Sequence, residues 1–301
     1  MVITIEYIEA KKLISQYAPN NSWFDINYNM NIYKGCCHGC IYCDSRSECY
    51  QIEDFDRVRA KEKAIESIGK ELKGKRRKGV VGTGAMSDPY NPFENKYMLT
   101  RDALKEINRY NFGVSIATKS PLITRDIDIL KAISEHSPVL IKITVTTFDD
   151  ELCKKIEPNV APSSERFKAI KELSDNGIYT GILLMPILPF INDSQDNIRN
   201  IVKEAYNSGA KFIFAYGMGL TLRGNQRAYY YEKLNKLFPN KNLVKKYIEI
   251  YGDRYEYQSL NNKKLWETFT KECDKYGIIY KMKDIIKDYR KNYEEEQLSL
   301  F

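Results

Sequence analysis

The sequence predicts an α/β fold, namely a partial (β/α)6 barrel of the TIM type with a C-terminal helical extension. Two patterns support this prediction. Six β-branched or apolar runs alternate with helical segments over the first 220 residues, and helical segments rich in tyrosine and lysine follow. Strands that alternate with helices pair in parallel through right-handed crossovers. Six such units favour an incomplete barrel over the closed barrel, which has eight.

The predicted strands are short apolar runs, and the helices between them carry apolar residues at helical spacing. The strands lie near Ile32 and at 79–85, 112–118, 139–147, 178–185 and 211–216. The helices span 58–72, 100–110, 125–134, 164–176 and 193–208. Thr100 is the predicted N-cap of the second helix. Gly177 and Gly209 are stop signals for the fourth and fifth helices.

The pattern changes near residue 221, where tyrosine-rich helical segments replace the strand–helix alternation. These segments cover 228–231, 243–251, 264–276 and 284–296. We therefore expect three parts: a barrel over 1–220, a helical extension packed on it over 221–296, and an exposed tail at 297–301.

Composition excludes several classes of protein. Hydrophobic residues make up 43% of the 301 residues and charged residues 29%, as in ordinary globular chains. No apolar run approaches the ~20 residues of a membrane span, and no secretory signal is visible. We therefore expect a cytoplasmic protein without a membrane segment. The net charge of +7 suits a nucleic-acid partner, although an AT-rich coding sequence would also enrich lysine.

Five of the seven cysteines lie within fourteen residues, between Cys36 and Cys49. An odd count without a secretory signal favours a metal or cluster site over disulfides. Cys36, Cys40 and Cys43 have C-x3-C-x2-C spacing, which can place three thiolates on one face of a [4Fe–4S] cluster. One iron would then lack a protein ligand.

Two other arrangements of these cysteines remain open. Cys37, Cys40 and Cys43 have the C-x2-C-x2-C spacing of electron-transfer ferredoxins. Cys40 and Cys43 could instead bind zinc together with His38 or Cys49. The position of the three-cysteine loop, after a strand and at the start of six βα units, favours the cluster with the open iron.

Residues 30–220 resemble the radical S-adenosylmethionine (SAM) superfamily, in the branch of spore photoproduct lyase and its DNA repair photolyase-like relatives. The cluster loop is the most specific feature, and the other matching stretches follow in the family's order. These stretches are Tyr33 to Cys43, Ser87-Asp88-Pro89-Tyr90, Ala117-Thr118-Lys119-Ser120, Ile143-Thr144-Val145-Thr146, Ile156-Glu157-Pro158, Glu165-Arg166-Phe167 and Leu184-Met185-Pro186-Ile187.

The resemblance implies an enzyme that uses a [4Fe–4S] cluster to cleave S-adenosylmethionine and generate a 5′-deoxyadenosyl radical. Cys36, Cys40 and Cys43 match the cluster ligands. Six further residues match positions that bind S-adenosylmethionine: Tyr42 beside the cofactor, Ser87 and Asp88 near the methionine amine, Lys119 at the carboxylate, Thr144 near the ribose and Met185 at the adenine. Glu157 and Arg166 are expected to form a structural ion pair. Such enzymes take electrons from a donor such as flavodoxin or ferredoxin.

Two departures from spore photoproduct lyase bear on the reaction. The lyase has a hydrogen-donating cysteine where this chain has Ala85, and a tyrosine where it has Asp44. The sequence therefore predicts that the chain does not follow the cysteine-donor route. The roles of Cys37, Cys49, Cys153 and Cys273 are unassigned; for Cys49 a radical relay and a buried structural thiol are both open.

The chain ends in Gln297-Leu298-Ser299-Leu300-Phe301 after an acidic run. This tail resembles the pentapeptide with which bacterial replication and repair proteins bind the sliding clamp, and folding back onto the helices is the alternative. The leading hypothesis is a radical SAM enzyme that acts on nucleic acid, in DNA repair or base modification. The alternatives are the same chemistry on a peptide or small metabolite, and a non-catalytic iron–sulfur or zinc protein.

Overall fold

A seven-stranded, mostly parallel sheet forms the centre of the molecule. The computed structural model describes residues 5–18 and 23–293. Six strands run parallel in the order β10-β9-β8-β7-β6-β3, and β2 pairs antiparallel with β3 at one edge. The strands are β2 (Ile14–Gln16), β3 (Tyr28–Met30), β6 (Val80–Thr83), β7 (Gly113–Thr118), β8 (Val139–Thr144), β9 (Thr180–Leu183) and β10 (Phe212–Phe214). This sheet confirms the predicted α/β class.

Two smaller sheets accompany the central one. The first has the order β1-β5-β4 and the second consists of the antiparallel pair β11-β12. Their strands are β1 (Glu6–Ile8), β4 (Tyr33–Lys34), β5 (Arg59–Lys61), β11 (Gly219–Thr221) and β12 (Glu256–Gln258).

Helices follow most of the central strands and cover one face of the sheet. They are α1 (Ala64–Lys73), α2 (Glu94–Tyr97), α3 (Leu99–Arg109), α4 (Ile127–Ser134), α5 (Asp150–Ile156), α6 (Ser163–Asp175), α7 (Gln195–Asn207), α8 (Gly224–Leu237), α9 (Leu243–Tyr251), α10 (Asn262–Tyr276) and α11 (Met282–Arg290). Within the described residues no helix is long and apolar enough to cross a membrane.

The alternation of side chains along the strands separates a helix-covered face from a cavity face. On β8, Ile141 and Ile143 belong to the large core beneath the helices. Leu140, Lys142 and Thr144 point to the other side, where Leu140 packs with Phe24 and Phe212 and the other two line a cavity. A strand buried on both faces reads as a continuous apolar run, which is why β8 was predictable and its one lysine is unusual.

Three local predictions are wrong. The first parallel strand of the central sheet is β3, which ends before Ile32, and residues 59–61 form β5 rather than the start of a helix. Thr100 lies inside α3, where its Oγ1 donates a hydrogen bond to the carbonyl of Pro89 at 2.6 Å. A buried tertiary partner replaces the capping contact there.

The C-terminal segment is helical as predicted, except for the strand pair β11-β12. The predicted boundary between residues 220 and 221 falls within β11, and the division into domains stays a prediction. Helices α8 and α9 pack on the cluster loop, because Tyr230, Leu234 and Tyr247 share a buried cluster with Ile41 and Tyr42. The tail at 297–301 lies outside the described residues.

Four tyrosines of this segment are buried in one cluster rather than displayed on the surface. They are Tyr230, Tyr247, Tyr251 and Tyr257. The rings of Tyr251 and Tyr257 stack with centroids 4.7 Å apart, and the hydroxyls of Tyr230 and Tyr247 lie 3.0 Å apart. These four rings hold the extension together and are not available to stack on nucleobases.

Candidate active site

A cavity of about 420 Å³ opens at the carboxyl ends of the parallel strands, the position at which open α/β sheets bind ligands. All nine site residues predicted from the sequence line it. They are Cys36, Cys40, Tyr42, Cys43, Ser87, Asp88, Lys119, Thr144 and Met185. They come from the cluster loop and from the ends of four strands or the loops that follow, so the fold brings together residues as far apart as 149 positions.

The cluster loop, residues 36–43, begins at a tight turn that requires glycine. Gly35 has a φ of +83°, and a Cβ there would lie 2.3 Å from the carbonyl oxygen of Arg57. The amide of Cys36 donates a hydrogen bond of 2.7 Å to the carbonyl of Phe55. Any larger residue at position 35 would push the first predicted cluster ligand out of place.

The loop also rests on the last residue of α5 and on the segment that follows this helix. The amide of Ile41 donates to Ile156 at 3.0 Å, and the Asn159 amide side chain donates to the carbonyl of Cys37 at 2.9 Å. Gln226 of α8 donates to the carbonyl of Tyr42 at 3.1 Å. Asn159 and Gln226 are positioning residues that sequence reasoning missed, because their partners lie 122 and 184 positions away.

A buried chain of polar groups supports Tyr42. Its hydroxyl donates to a carboxylate oxygen of Glu157, and the other oxygen of Glu157 pairs with the guanidinium of Arg166. Both charged side chains are fully buried. Burial raises the pKa of Glu157, and the charge of Arg166 opposes that rise. The predicted structural ion pair is confirmed, and it orients the ring that lies beside the cysteines.

Ser87 and Asp88 connect the cluster loop to the sheet. Ser87 Oγ donates to the carbonyl of Gly35 at 2.6 Å. Asp88 accepts hydrogen bonds from Thr118 Oγ1 at 2.6 Å and from the amide of Lys119 at 2.8 Å. His38 Nδ1 lies 3.6 Å from Asp88. The two predicted ligand-binding residues therefore also hold the loop and the strand end in register.

Lys119 and Thr144 lie at the ends of neighbouring strands. The Lys119 ammonium is 5.8 Å from the centre of the Tyr42 ring, within the range of a cation–π contact. Thr144 is buried, and its carbonyl accepts a hydrogen bond from Arg166 at 3.0 Å. Met185 follows β9 on the cavity face. This edge thus combines one cation, hydroxyl groups and an apolar wall.

Burial keeps two of the cluster-loop thiols protonated when nothing binds them. It raises the pKa of Cys36 to about 12 and the pKa of Cys40 well above its usual range. A thiol in such surroundings loses its proton only to a strong electrophile such as an iron or zinc ion.

The remaining cysteines lie elsewhere. Cys37 packs against the large core, Cys153 and Cys273 are buried, and Cys49 is exposed with its sulfur 3.3 Å from Arg223 Nη1. A buried structural role for Cys49 is therefore wrong. The residues that line the cavity include neither Cys37 nor Cys49. Over residues 5–18 and 23–293, no three His, Cys, Asp or Glu side chains are grouped to hold a single metal ion.

The model of the radical SAM superfamily matches residues 30–205 of this chain, which is more than half of it. The chain belongs to the radical SAM superfamily. Members of this superfamily are enzymes that use a [4Fe–4S] cluster and S-adenosylmethionine. The predicted family and its two cofactors are thus confirmed.

Two uncharacterized relatives match most of this radical SAM chain. A protein of Methanocaldococcus jannaschii is 30% identical over 252 residues, covering 82% of this chain and 91% of its own. A protein of Mycobacterium tuberculosis H37Rv is 26% identical over 256 residues, covering 83% of this chain and 74% of its own.

Solved structures share the fold. Spore photoproduct lyase complexed with dinucleoside spore photoproduct has a TM-score of 0.65 at 14% identity, over 91% of this chain and 81% of its own. A lyase variant with bound S-adenosylmethionine and the same dinucleoside has a TM-score of 0.64 at 14% identity, over 90% of this chain and 80% of its own. The radical SAM methyltransferase TsrM of Kitasatospora setae, with tryptophan and a SAM analogue bound, has a TM-score of 0.54 at 12% identity. The match covers 82% of this chain and 51% of TsrM.

The described residues fit the two cofactors. Three free cysteines open into one cavity, and thiolates are the ligands that iron–sulfur clusters prefer. The strand ends beside them carry the cation and the hydroxyl groups that a zwitterionic nucleoside such as S-adenosylmethionine requires.

Proposed function

We propose that the chain is a radical SAM enzyme whose cluster is held by Cys36, Cys40 and Cys43 and whose substrate is nucleic acid, in DNA repair or base modification. One observation carries the cofactor assignment: three thiols share a single cavity with polar residues from successive strand ends. The six parallel strands support the predicted partial barrel around this cavity.

The residues of the cavity have distinct roles in this proposal. Lys119 binds the methionine carboxylate as a charge-assisted pair, while Ser87 and Asp88 face the amine. Tyr42 lies along the cofactor, with its orientation maintained by Glu157. Thr144 contacts the ribose and Met185 packs on the adenine.

A cluster held by Cys36, Cys40 and Cys43 would supply the one electron needed for reductive cleavage of S-adenosylmethionine, the chemistry by which radical SAM enzymes abstract hydrogen from a substrate. The protein orients the cofactors and keeps water from the reacting atoms. Ala85 lines the cavity where spore photoproduct lyase is expected to have its donor cysteine, and a methyl group cannot return a hydrogen atom. The reaction is therefore expected to end differently from that of the lyase.

Two features support nucleic acid as the substrate. The structurally similar lyase is complexed with a dinucleoside photoproduct, and this chain carries a net charge of +7, which favours binding to phosphates. The buried tyrosine cluster supplies no support. An acidic small metabolite is the second candidate, because a buried lysine lies on the cavity wall.

The proposal is tested by deuterium transfer. The reduced, reconstituted protein is incubated with S-adenosylmethionine and either perdeuterated DNA oligonucleotides or unlabelled ones. We expect 5′-deoxyadenosine that contains deuterium only with the labelled DNA. Cleavage of S-adenosylmethionine without deuterium transfer would retain the radical chemistry and reject DNA as the substrate. Absence of cleavage in a protein with a full cluster would reject both.

The tail Gln297-Leu298-Ser299-Leu300-Phe301 is proposed to bind a sliding clamp by placing leucine and phenylalanine in a preformed pocket. Removal of residues 297–301 should abolish binding to a bacterial clamp in a pull-down and leave S-adenosylmethionine cleavage unchanged. Equal clamp binding with and without the tail would refute this partner. An electron donor such as flavodoxin or ferredoxin completes the proposed partners.

A further inference from the structure

Lys142 is a buried lysine on the cavity wall that the cofactor assignment does not use. Only 2% of its surface is exposed, although the residue lines the cavity on β8. Its Nζ donates to Ser115 Oγ and lies 4.8 Å from the centre of the Phe24 ring. Within residues 5–18 and 23–293 no carboxylate forms an ion pair with it. A protein rarely buries an ammonium group without a counter-charge.

Within the described residues, Lys142 lacks a negatively charged partner. Burial alone lowers its pKa to about 7, with no acidic group in the described structure to oppose the shift. An ammonium has three hydrogens to donate, and Ser115 accepts one. An anion placed in the cavity would provide both the counter-charge and the remaining acceptors.

A polar atom that lacks a hydrogen-bond partner within the described residues faces the same cavity. Asn29 Oδ1 on β3 is buried and accepts no hydrogen bond within the described structure. The strand register places Asn29 opposite Gly82 and Gly82 opposite Ser115, so Gly82 separates Asn29 from the partner of Lys142. Gly82 carries no side chain, and a Cβ there would lie 2.8 Å from Ile26 Cγ2. The side chain of Ile26 therefore fills the position above Gly82, while Asn29, Ile26 and Lys142 all line the same cavity.

This position differs from the proposed S-adenosylmethionine site. Lys142 pairs in register with Ala117, two residues before Lys119 at the strand end. Lys142 thus lies about 6.6 Å deeper in the cavity, at ~3.3 Å per residue of parallel strand. Trp23 and Tyr17 line the cavity as well. Such surroundings suit a substrate with an aromatic or apolar body and a charged end.

We propose that Lys142 binds an oxyanion of the substrate, a carboxylate or a phosphate, while Asn29 Oδ1 accepts a hydrogen bond from an N–H or O–H group of the same molecule. The inference rests on the proposed function only in placing the substrate in this cavity. The inference narrows the class of substrate to molecules that carry a negative charge at the end that enters the cavity. A nucleotide phosphate and the carboxylate of a small acid are the two sources of this chemistry.

Trp23 provides a reporter, because the chain has only two tryptophans and the other, Trp266, is partly exposed on α10. Trp266→Phe protein with its cluster and saturating S-adenosylmethionine is titrated with sodium phosphate or sodium acetate at constant ionic strength. We expect a saturable change in Trp23 emission with at least one anion. Preference for phosphate would indicate a nucleotide, and preference for acetate a carboxylic acid.

The decisive comparison is Lys142→Met in the same background. It should weaken anion binding at least about 10-fold, as for the loss of one charge-assisted hydrogen bond. Lys168→Met, an exposed change on α6, should bind as the parent does. If Lys142→Met does not fold, Lys142→Gln, which keeps a donor for Ser115, replaces it.

Three results would overturn the inference: no saturable response in the parent, equal binding by the Lys142 variant, or loss of binding in Lys119→Met instead. The last result would place the anion in the S-adenosylmethionine site. S-adenosylmethionine cleavage is measured separately on the parent. Loss of cleavage would contradict the proposed radical chemistry, whereas loss of the Trp23 response would contradict only the proposed anion site.

Discussion

Cys40→Ala protein, reconstituted anaerobically with iron and sulfide, will retain its fold and lack its cluster. Cys40 is the most buried of the three proposed ligands, in contact with Ile41 and Tyr42. Loss of groups that only support a metal ligand costs 10–100-fold in affinity or activity, so loss of the ligand itself should reduce S-adenosylmethionine cleavage by at least about 100-fold. The measurements are iron content, the absorbance of the cluster and 5′-deoxyadenosine formed.

Cys37→Ala is the matched control, because it tests the alternative register of the same loop. Cys37 is only three positions away but packs against the core outside the cavity. We expect this variant to assemble a normal cluster and to retain cleavage. A cluster that survives in Cys40→Ala, or one that is lost in Cys37→Ala, would contradict the C-x3-C-x2-C assignment.

Arg166→Leu should have the largest effect on stability. Arg166 is fully buried, and besides its ion pair with Glu157 it donates to the carbonyls of Ala161 at 2.8 Å and Thr144 at 3.0 Å. The substitution leaves Glu157 buried without a counter-charge, which typically costs 3–5 kcal/mol. We expect the free energy of unfolding, measured by urea denaturation, to fall by about that amount.

Lys168→Ala, two residues away on α6, removes an exposed ion pair with Glu165. Exposed pairs contribute about 0–1 kcal/mol, so this variant should unfold almost as the parent does. Similar losses for the two variants would contradict the structural role of the buried pair. Because Glu157 also accepts from Tyr42, Arg166→Leu should in addition lower the yield of cluster, whereas Lys168→Ala should not.

Local patterns in the sequence were sufficient to predict the family, its cofactors and the α/β fold class. The spacing of Cys36, Cys40 and Cys43 predicts a cluster loop, because cysteines so close in sequence can place their thiolates around one centre. The strands β7, β8 and β9 were predictable because strands buried on both faces form continuous apolar runs. The polar residues at their ends, Lys119 and Thr144, then fall at one edge of the sheet whatever the details of packing.

The strands at the margins of the sheets were not predictable in the same way. The strands β5, β11 and β12 have three residues each, too few for a period-2 pattern to emerge. Their pairing depends on partners that lie elsewhere in the chain. The same holds for the four buried tyrosines, because the tyrosine-rich segments predict helices but do not show which rings pack together as a core.

The sequence alone indicated the family and its two cofactors and predicted the residues that would bind them, because these inferences depend on residue type and on short spacings. Only the tertiary structure decided that Lys142, Asn29 and Gly82 share one cavity, that Glu157 connects Tyr42 to Arg166, and that Cys37 faces away. Each of these depends on contacts between distant segments. The burial of Lys142, and the lack of a carboxylate beside it among the described residues, result from the packing of distant segments. No local sequence pattern predicts them.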